Sequence, residues 1–197
     1  MPTLKINSRL LRAAICFQAN HDVRYYLNGI CISRKYIYAT NGTAAIRMEH
    51  GKVFRTNVIV RFAHKIPKDA HVTRINLLGK RSYAEHTDEF GQIVSMGAIE
   101  IIDSSKYPSV DKIIDTAYEK PVGKDFPSID SDLIKIACKA MNQAGVKLVP
   151  LTFKIPESTD DPVLCFTKAK FANSELGNPV IVLMPMRMRG DDANTKN

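Results

Sequence analysis

Two separate stretches of this chain carry the same organisation, and that recurrence limits the folds open to it. Each begins with an amphipathic helix and runs on into about three strand-like segments. In the first, Asn7 or Ser8 can cap a helix in which Leu10, Leu11, Ala14 and Ile15 recur at helical spacing, ending around 19–21. In the second, Asp130 or Ser131 caps a stripe of Leu133, Ile134, Ile136, Ala137, Ala140 and Met141, and Gly145 ends it. Strand-type runs follow the first helix at 23–32, 35–40, 44–48 and 58–61, and the second at 146–155, 162–168 and 179–186. Asn28-Gly29 and Asn41-Gly42 are turn signals, because both residue types accept a positive φ. Further strands are expected at 71–78, 92–96 and 98–102, around a polar loop over 80–91. Helices on one face of antiparallel sheets make an α+β fold.

Breakers set the domain organisation. Pro67 blocks a long helix after 62. The segment 103–129 holds Pro108, Pro121 and Pro127 among many charges and reads as a connection. We therefore expect one domain over 1–112, a partial domain over 113–188 and a disordered polar tail over 189–197. No apolar run approaches the roughly 20 residues of a membrane span, and none suits a signal peptide, so a cytoplasmic protein without a membrane partner is expected. The four cysteines are widely spaced with no CxxC pair, which fits reduced, buried thiols.

Charge points to a partner. The net charge is +8, but residues 1–65 hold 11 basic and 2 acidic groups while 66–130 hold 8 and 11. A basic block of this kind suits a face presented to a polyanion. Arg9 and Arg12 on the first helix, and Lys135 and Lys139 on the second, fall opposite the apolar stripes, where they can meet phosphates or simply solvent. Arg24, Tyr25 and Tyr26 lie in the first strand-like run, with His21 just before it. There, adjacent tyrosines would alternate faces, one in the core and one exposed beside Arg24. At the other end, Val182, Met184, Pro185, Met186 and Arg187 form an unusual strand end, since proline belongs at an edge and methionine makes an adaptable apolar surface. The five histidines show no metal-ligand spacing. The Glu85-His86-Thr87-Asp88-Glu89 cluster sits in the expected loop, and no phosphate-binding or nucleophile motif is present. No enzyme, metal or cofactor is expected.

Four blocks, in order, resemble the bacterial sliding clamp, the β subunit of the replicative DNA polymerase III. Val23-Arg24-Tyr25-Tyr26-Leu27-Asn28-Gly29 looks like the start of the clamp's middle domain. Ala39-Thr40-Asn41-Gly42 is similar to its Ala-Thr-Asp-Gly turn, and Lys106-Tyr107-Pro108-Ser109-Val110 to its Phe-Pro-Asp-Tyr segment. Val182-Leu183-Met184-Pro185-Met186-Arg187-Met188 is close to the family's C-terminal Val-Met-Pro-Met-Arg-Leu.

The resemblance implies helices lining a ring, sheets outside, and duplex DNA threaded through without sequence readout. It implies that His21, Arg24, Tyr25 and Tyr26 lie on a loop near the DNA. It also implies a pocket for short motifs of DNA polymerase, clamp loader or repair proteins, formed by Leu27, Thr40, Gly42, Pro108, Ile113, Val182, Met184, Pro185, Met186 and Arg187. The pattern also departs from the family: the last domain is reduced to one helix-plus-strands half, and 189–197 replace a nonpolar tail end. Thr43-Ala44-Ala45 replace a His-Arg-Leu wall, the family's first domain has no counterpart, and Pro67 falls where a second helix should run. With about three helix-plus-strands units per chain, a twelve-unit ring would need a homo-oligomer of three or four copies, joined head to tail. Such a compact homologue would suit a phage or other mobile element. The rival expectation keeps the fold without the ring: an interaction module that binds clamp-binding peptides or a host clamp.

Overall fold

The computed structural model describes residues 3–55, 57–104, 106–143, 150–168, 173 and 175–186. Arg187, Gly145, the tail and the first part of the strand expected at 146–155 lie outside them.

The described strands are β1 (Thr3–Asn7), β2 (Ile30–Ile32), β3 (Tyr36–Thr40), β4 (Ala44–Glu49), β5 (Val58–Phe62), β6 (Val72–Asn76), β7 (Tyr83–Thr87), β8 (Ile93–Ile102), β9 (Thr152–Lys154), β10 (Val163–Phe166) and β11 (Val180–Leu183). They form one sheet in the order β1-β6-β7-β8-β5-β2-β3-β4-β11-β10-β9, antiparallel at every pairing. Strand β8 joins the two halves. Its first part pairs with β7 and its last four residues with β5. The two strands expected at 92–96 and 98–102 are thus this single long one.

Helices α1 (Ser8–Ile15) and α3 (Ser131–Gln143) lie together on one face, as expected. Asn7 caps α1 by accepting from the Arg9 amide at 2.9 Å, and Asp130 accepts from the Asp132 amide at 2.8 Å at the start of α3. Strand side chains alternate faces. Ile37, Ile46, Ile181 and Cys165 therefore point into the core beneath α1 and α3, together with Leu11, Phe17, Leu133 and Ala140.

The opposite face is also covered. Helix α2 (Val110–Glu119) lies there, in the segment expected to be a bare connection, and buries Val110, Ile114 and Ala117 against Cys31, Tyr38, Ala45, Leu164 and Val182. Those three residues recur at i, i+4 and i+7, a short helical stripe between prolines. The boundary expected between 112 and 113 therefore falls inside α2. Both sides of it share one core, since α1 and α3 pack together. Strands covered on both faces bury consecutive residues, as β2 and β11 do.

Three other expectations change. Residues 23–29 are a bend and a 3-10 turn (Tyr25–Asn28), not strand. The Asn28 side chain accepts from the Asp22 amide and donates to its carbonyl, both at 2.9 Å, and this local bonding outcompetes a ladder. The loop expected over 80–91 contains β7. Its inward positions are Ala84 and His86, which carry too little apolar signal to read as a strand face. Alternation along β7 also separates Glu85 from His86. Cys138 is exposed and Cys16 half-buried; Cys31 and Cys165 are buried as expected. No helix forms between β5 and β6, where Pro67 stands.

Candidate DNA-facing and peptide-binding surfaces

Arg12 does not face solvent. Only 8% exposed, its guanidinium donates to the carbonyls of Pro67 at 2.7 Å, Ala70 at 3.0 Å and Gln143 at 3.2 Å. The cause lies in the missing helix. An irregular segment packed beside α1 leaves carbonyls without helical partners, and buried carbonyls need donors. Arg12 supplies them, and with Gln143 it also caps the C-terminal end of α3. Burial and the neighbouring Arg9 lower its pKa.

The other helix cations are exposed to different degrees. Arg9 pairs with Glu175 at 3.2 Å, Lys135 with Asp132 at 2.8 Å, and Lys139 is exposed. Lys139 lines a groove of about 700 Å³ together with Arg12, Lys65, Lys68, His64 and Cys16. Among the described residues neither Lys65, Lys68 nor Lys139 joins an ion pair, so this groove concentrates positive charge between α1 and the segment after β5. The sequence reading passed over Lys65 and Lys68. Their signal was Pro67 itself, which turns the segment into an exposed, lysine-bearing crossing rather than a buried helix.

The 21–26 loop divides between two environments. His21 adopts φ +57°, and Tyr25 is 49% exposed. Tyr26 packs against the α2 side of the sheet and meets Tyr25 edge to face, with ring centres 5.7 Å apart. Arg24 grips Asp22 twice, Nε to Oδ1 at 3.0 Å and Nη2 to Oδ2 at 2.8 Å, and its bonds hold the Asp22 carboxyl down to about 2. Arg24 also lies against Gly42. A Cβ there would come within 2.8 Å of its Nη2, and Gly42 itself sits at φ +96°, where only glycine is unstrained. Arg24 thus borders the residues expected to hold peptides.

Of those residues, Val182 packs with α2 and Thr40 shares its face of the sheet. Thr40 registers with Ala45, and Ala45 with Val182. Met184 donates its amide to the Thr43 carbonyl at 2.9 Å, which ties the strand end to the Asn41–Gly42 turn. Leu27, Thr40 and Val182 are buried. Ile113, Met184 and Met186 are 37%, 36% and 51% exposed, with Pro185 between the methionines. Pro108 precedes α2 and lines a neighbouring cavity of about 460 Å³ with Tyr36, Tyr38, Tyr107 and Asp111. Asp111 fastens the start of α2, accepting from the Tyr38 hydroxyl at 2.6 Å and from Arg47 at 2.9 Å. Lys154 Nζ holds the other end through the carbonyls of Ala117 and Lys120, both at 3.0 Å, and of Tyr118. The arrangement offers exposed methionines on a rigid backing, which suits short apolar motifs.

Among the described residues no three His, Cys, Asp or Glu side chains gather as a metal site, and no helix is long and apolar enough to cross a membrane.

No family model and no curated protein sequence matches the chain. Solved structures do. The chain is similar to the DNA polymerase sliding clamp from Pseudomonas aeruginosa at 14% identity and a TM-score of 0.58, covering 94% of this chain and 66% of that one. It is similar to DNA polymerase III subunit beta from Borrelia burgdorferi at 13% and 0.60, covering 95% and 65%. For the sliding clamp from Bacillus subtilis the values are 11% and 0.57, covering 95% and 64%. The chain has the sliding-clamp fold in shortened form, spanning about two thirds of the length of these proteins.

Proposed function

We propose that this chain is a non-enzymatic, sliding-clamp-like processivity factor that self-assembles into a ring around duplex DNA and tethers partner proteins by short peptide motifs. The observation that carries the reading is the clamp fold itself, which covers almost the whole chain and has its exposed Met184-Pro185-Met186 segment against the Asn41–Gly42 turn. DNA is held by diffuse charge from Lys139, Lys65 and Lys68, with Arg9, Lys135, His21 and Tyr25 at the margin. Loose phosphate contact of this kind permits sliding and falls steeply with salt. Arg12 lines the same groove, but backbone carbonyls hold three of its donors, so it adds charge there rather than a mobile contact. The partner motifs would come from a DNA polymerase, clamp loader or repair protein, in the cytoplasm.

The test is topological. Protein loaded on nicked circular DNA stays bound and is lost when the circle is cut. Equal retention on circles and linear DNA refutes the ring. Replacing Met184 and Met186 with Asp abolishes peptide binding and leaves the melting temperature near that of the parent, since both side chains are exposed.

One observation favours a second reading. Arg9, Arg12, Arg24 and Lys135 all bond within the protein. That would suit a clamp-like module that binds peptides or another clamp without encircling DNA. A monomer at micromolar concentration that still binds peptide decides for it.

A further inference from the structure

The turn between β2 and β3 is pinned and cationic. The Ser33 amide donates to the Tyr36 carbonyl at 2.8 Å, and the Tyr36 amide to the Ser33 hydroxyl at 3.1 Å. The loop after β4 is fastened onto this turn. The Phe54 amide donates to the Arg34 carbonyl at 2.9 Å and the His50 amide to the Lys35 carbonyl at 3.2 Å, while the His50 ring lies 3.1 Å from the Ser33 carbonyl and stacks on Phe54. With these backbone groups satisfied, the turn holds the side chains of Arg34 and Lys35 outward, beside Lys52 and Arg55 of the second loop. All four are exposed, and among the described residues none joins an ion pair.

Two cavities border the turn and share Arg34 and Asn57 in their walls. The first, of about 460 Å³, reaches from Lys35 and Tyr36 to Cys31, Tyr107 and Val110, which belong to the core beneath α2. Small-molecule sites span about 300–1,000 Å³ and combine aromatic walls with a few polar groups, as this one does. Its one acid, Asp111, is matched by Arg47 and the Tyr38 hydroxyl and so leaves the cations at the mouth uncancelled. Within the wall the Tyr107 hydroxyl has no hydrogen-bond partner, and Ser109, at the cap position of α2, bonds none of the first-turn amides. The second cavity, of about 570 Å³, has Arg34 and Arg55 in its walls with Val53 and Phe54. One cavity is thus partly apolar and ring-sized, and the other is lined by guanidinium groups.

We infer that these two cavities together bind a nucleoside di- or triphosphate. The base and sugar occupy the first cavity, against Tyr36 and Pro108, where Ser109 and Asn57 offer hydrogen bonds. The phosphates lie along Arg34 and Arg55, with Lys35 and Lys52 adding charge. Guanidinium forks match phosphate oxygens in pairs, which fixes the anionic end. A planar base on an anionic chain uses both cavities, whereas a bare phosphate leaves the first one empty and a continuing strand gains nothing from a cavity that ends against the core. The site stands apart from the surfaces described above and does not depend on ring formation. It lies at the Tyr36 end of β3, about 13 Å from Thr40 at about 3.3 Å per strand residue, and shares only Pro108 with the expected peptide surface. None of its residues lines the groove that holds Lys139.

The experiment titrates the full chain calorimetrically with ATP, adenosine and inorganic triphosphate. ATP should bind, and adenosine and triphosphate, which fill one cavity each, should bind at least about tenfold more weakly. Arg34→Glu with Arg55→Glu changes only exposed side chains, so it should leave the melting temperature unchanged and weaken ATP by about a hundredfold. Ser109→Trp, which fills the mouth of the first cavity, should bring ATP down to the affinity of triphosphate. Lys65→Glu with Lys139→Glu, in the other groove, should leave ATP binding as it is. No ATP binding at millimolar concentration, triphosphate binding as tightly as ATP, or an ATP affinity unmoved by the arginine pair overturns the site. An oligothymidylate or a polyglutamate that binds at Arg34 and Arg55 more tightly than ATP gives the patch to a polymer and overturns the nucleotide assignment.

Discussion

Lowering the pH from 6.5 towards 4 should destabilise this fold by about 3 kcal/mol through one side chain, His86. Its ring is inaccessible to solvent. Nδ1 lies 2.9 Å from the Thr73 hydroxyl, which is 2.8 Å from that of Ser8, and Nε2 lies 2.8 Å from His64 Nε2. A charge here has no water and faces His64 and Arg12. Burial first, then those two groups, lower the pKa from 6.5 to about 4. Between these values the unfolded chain holds a proton that the folded chain does not, so stability falls as pH falls. At about 1.36 kcal/mol per pKa unit, about 2.5 units give about 3 kcal/mol, present in full above pH 6.5 and lost by pH 4. Carboxylates titrate in part of the same window, so the measurement is a difference. Urea unfolding of the parent and of His86→Gln is followed across it. The variant starts less stable but should lose about 3 kcal/mol less on acidification. Equal pH dependence in the two proteins would refute the reasoning.

Other outcomes follow from single contacts. Arg12→Ala strands three carbonyls and should cost about 2–4 kcal/mol in urea unfolding. Ile114→Ala removes the fully buried anchor of α2 and should cost about 2–5 kcal/mol, read by thermal melting. Because α2 packs on Val182, two residues before Met184, peptide affinity should fall as well. Lys139→Glu with Lys65→Glu should leave melting unchanged and flatten the salt dependence of duplex binding by about one unit of log–log slope per removed phosphate contact.

How much of this was legible varied with the range of the forces involved. Helices α1 and α3 show in the sequence because their apolar stripes and caps are local. Strands β3, β4, β10 and β11 show because of β-branched runs and the Asn41-Gly42 turn. The missed elements fail that condition. Strand β1 has only Leu4 and Ile6 to show, and its partner β6 lies far along the chain. Strand β7 turns Ala84 and His86 inward, and α2 buries three residues among charges. The methionine patch was visible as an odd strand end, but the packing of α2 on Val182 beside it was not.

By itself the sequence determined the α+β class, the helix-plus-strands units and the loss of a helix at Pro67, because periodicity, turn chemistry and proline sterics act within a few residues. Only the tertiary structure decided which cations stay outside. Arg12 and Lys139 look alike along their helices and line the same groove, yet one is buried and bound to carbonyls of a segment some fifty-five residues away while the other is exposed. Burial and hydrogen-bond satisfaction are properties of the neighbours that folding brings together, and those neighbours are distant in sequence.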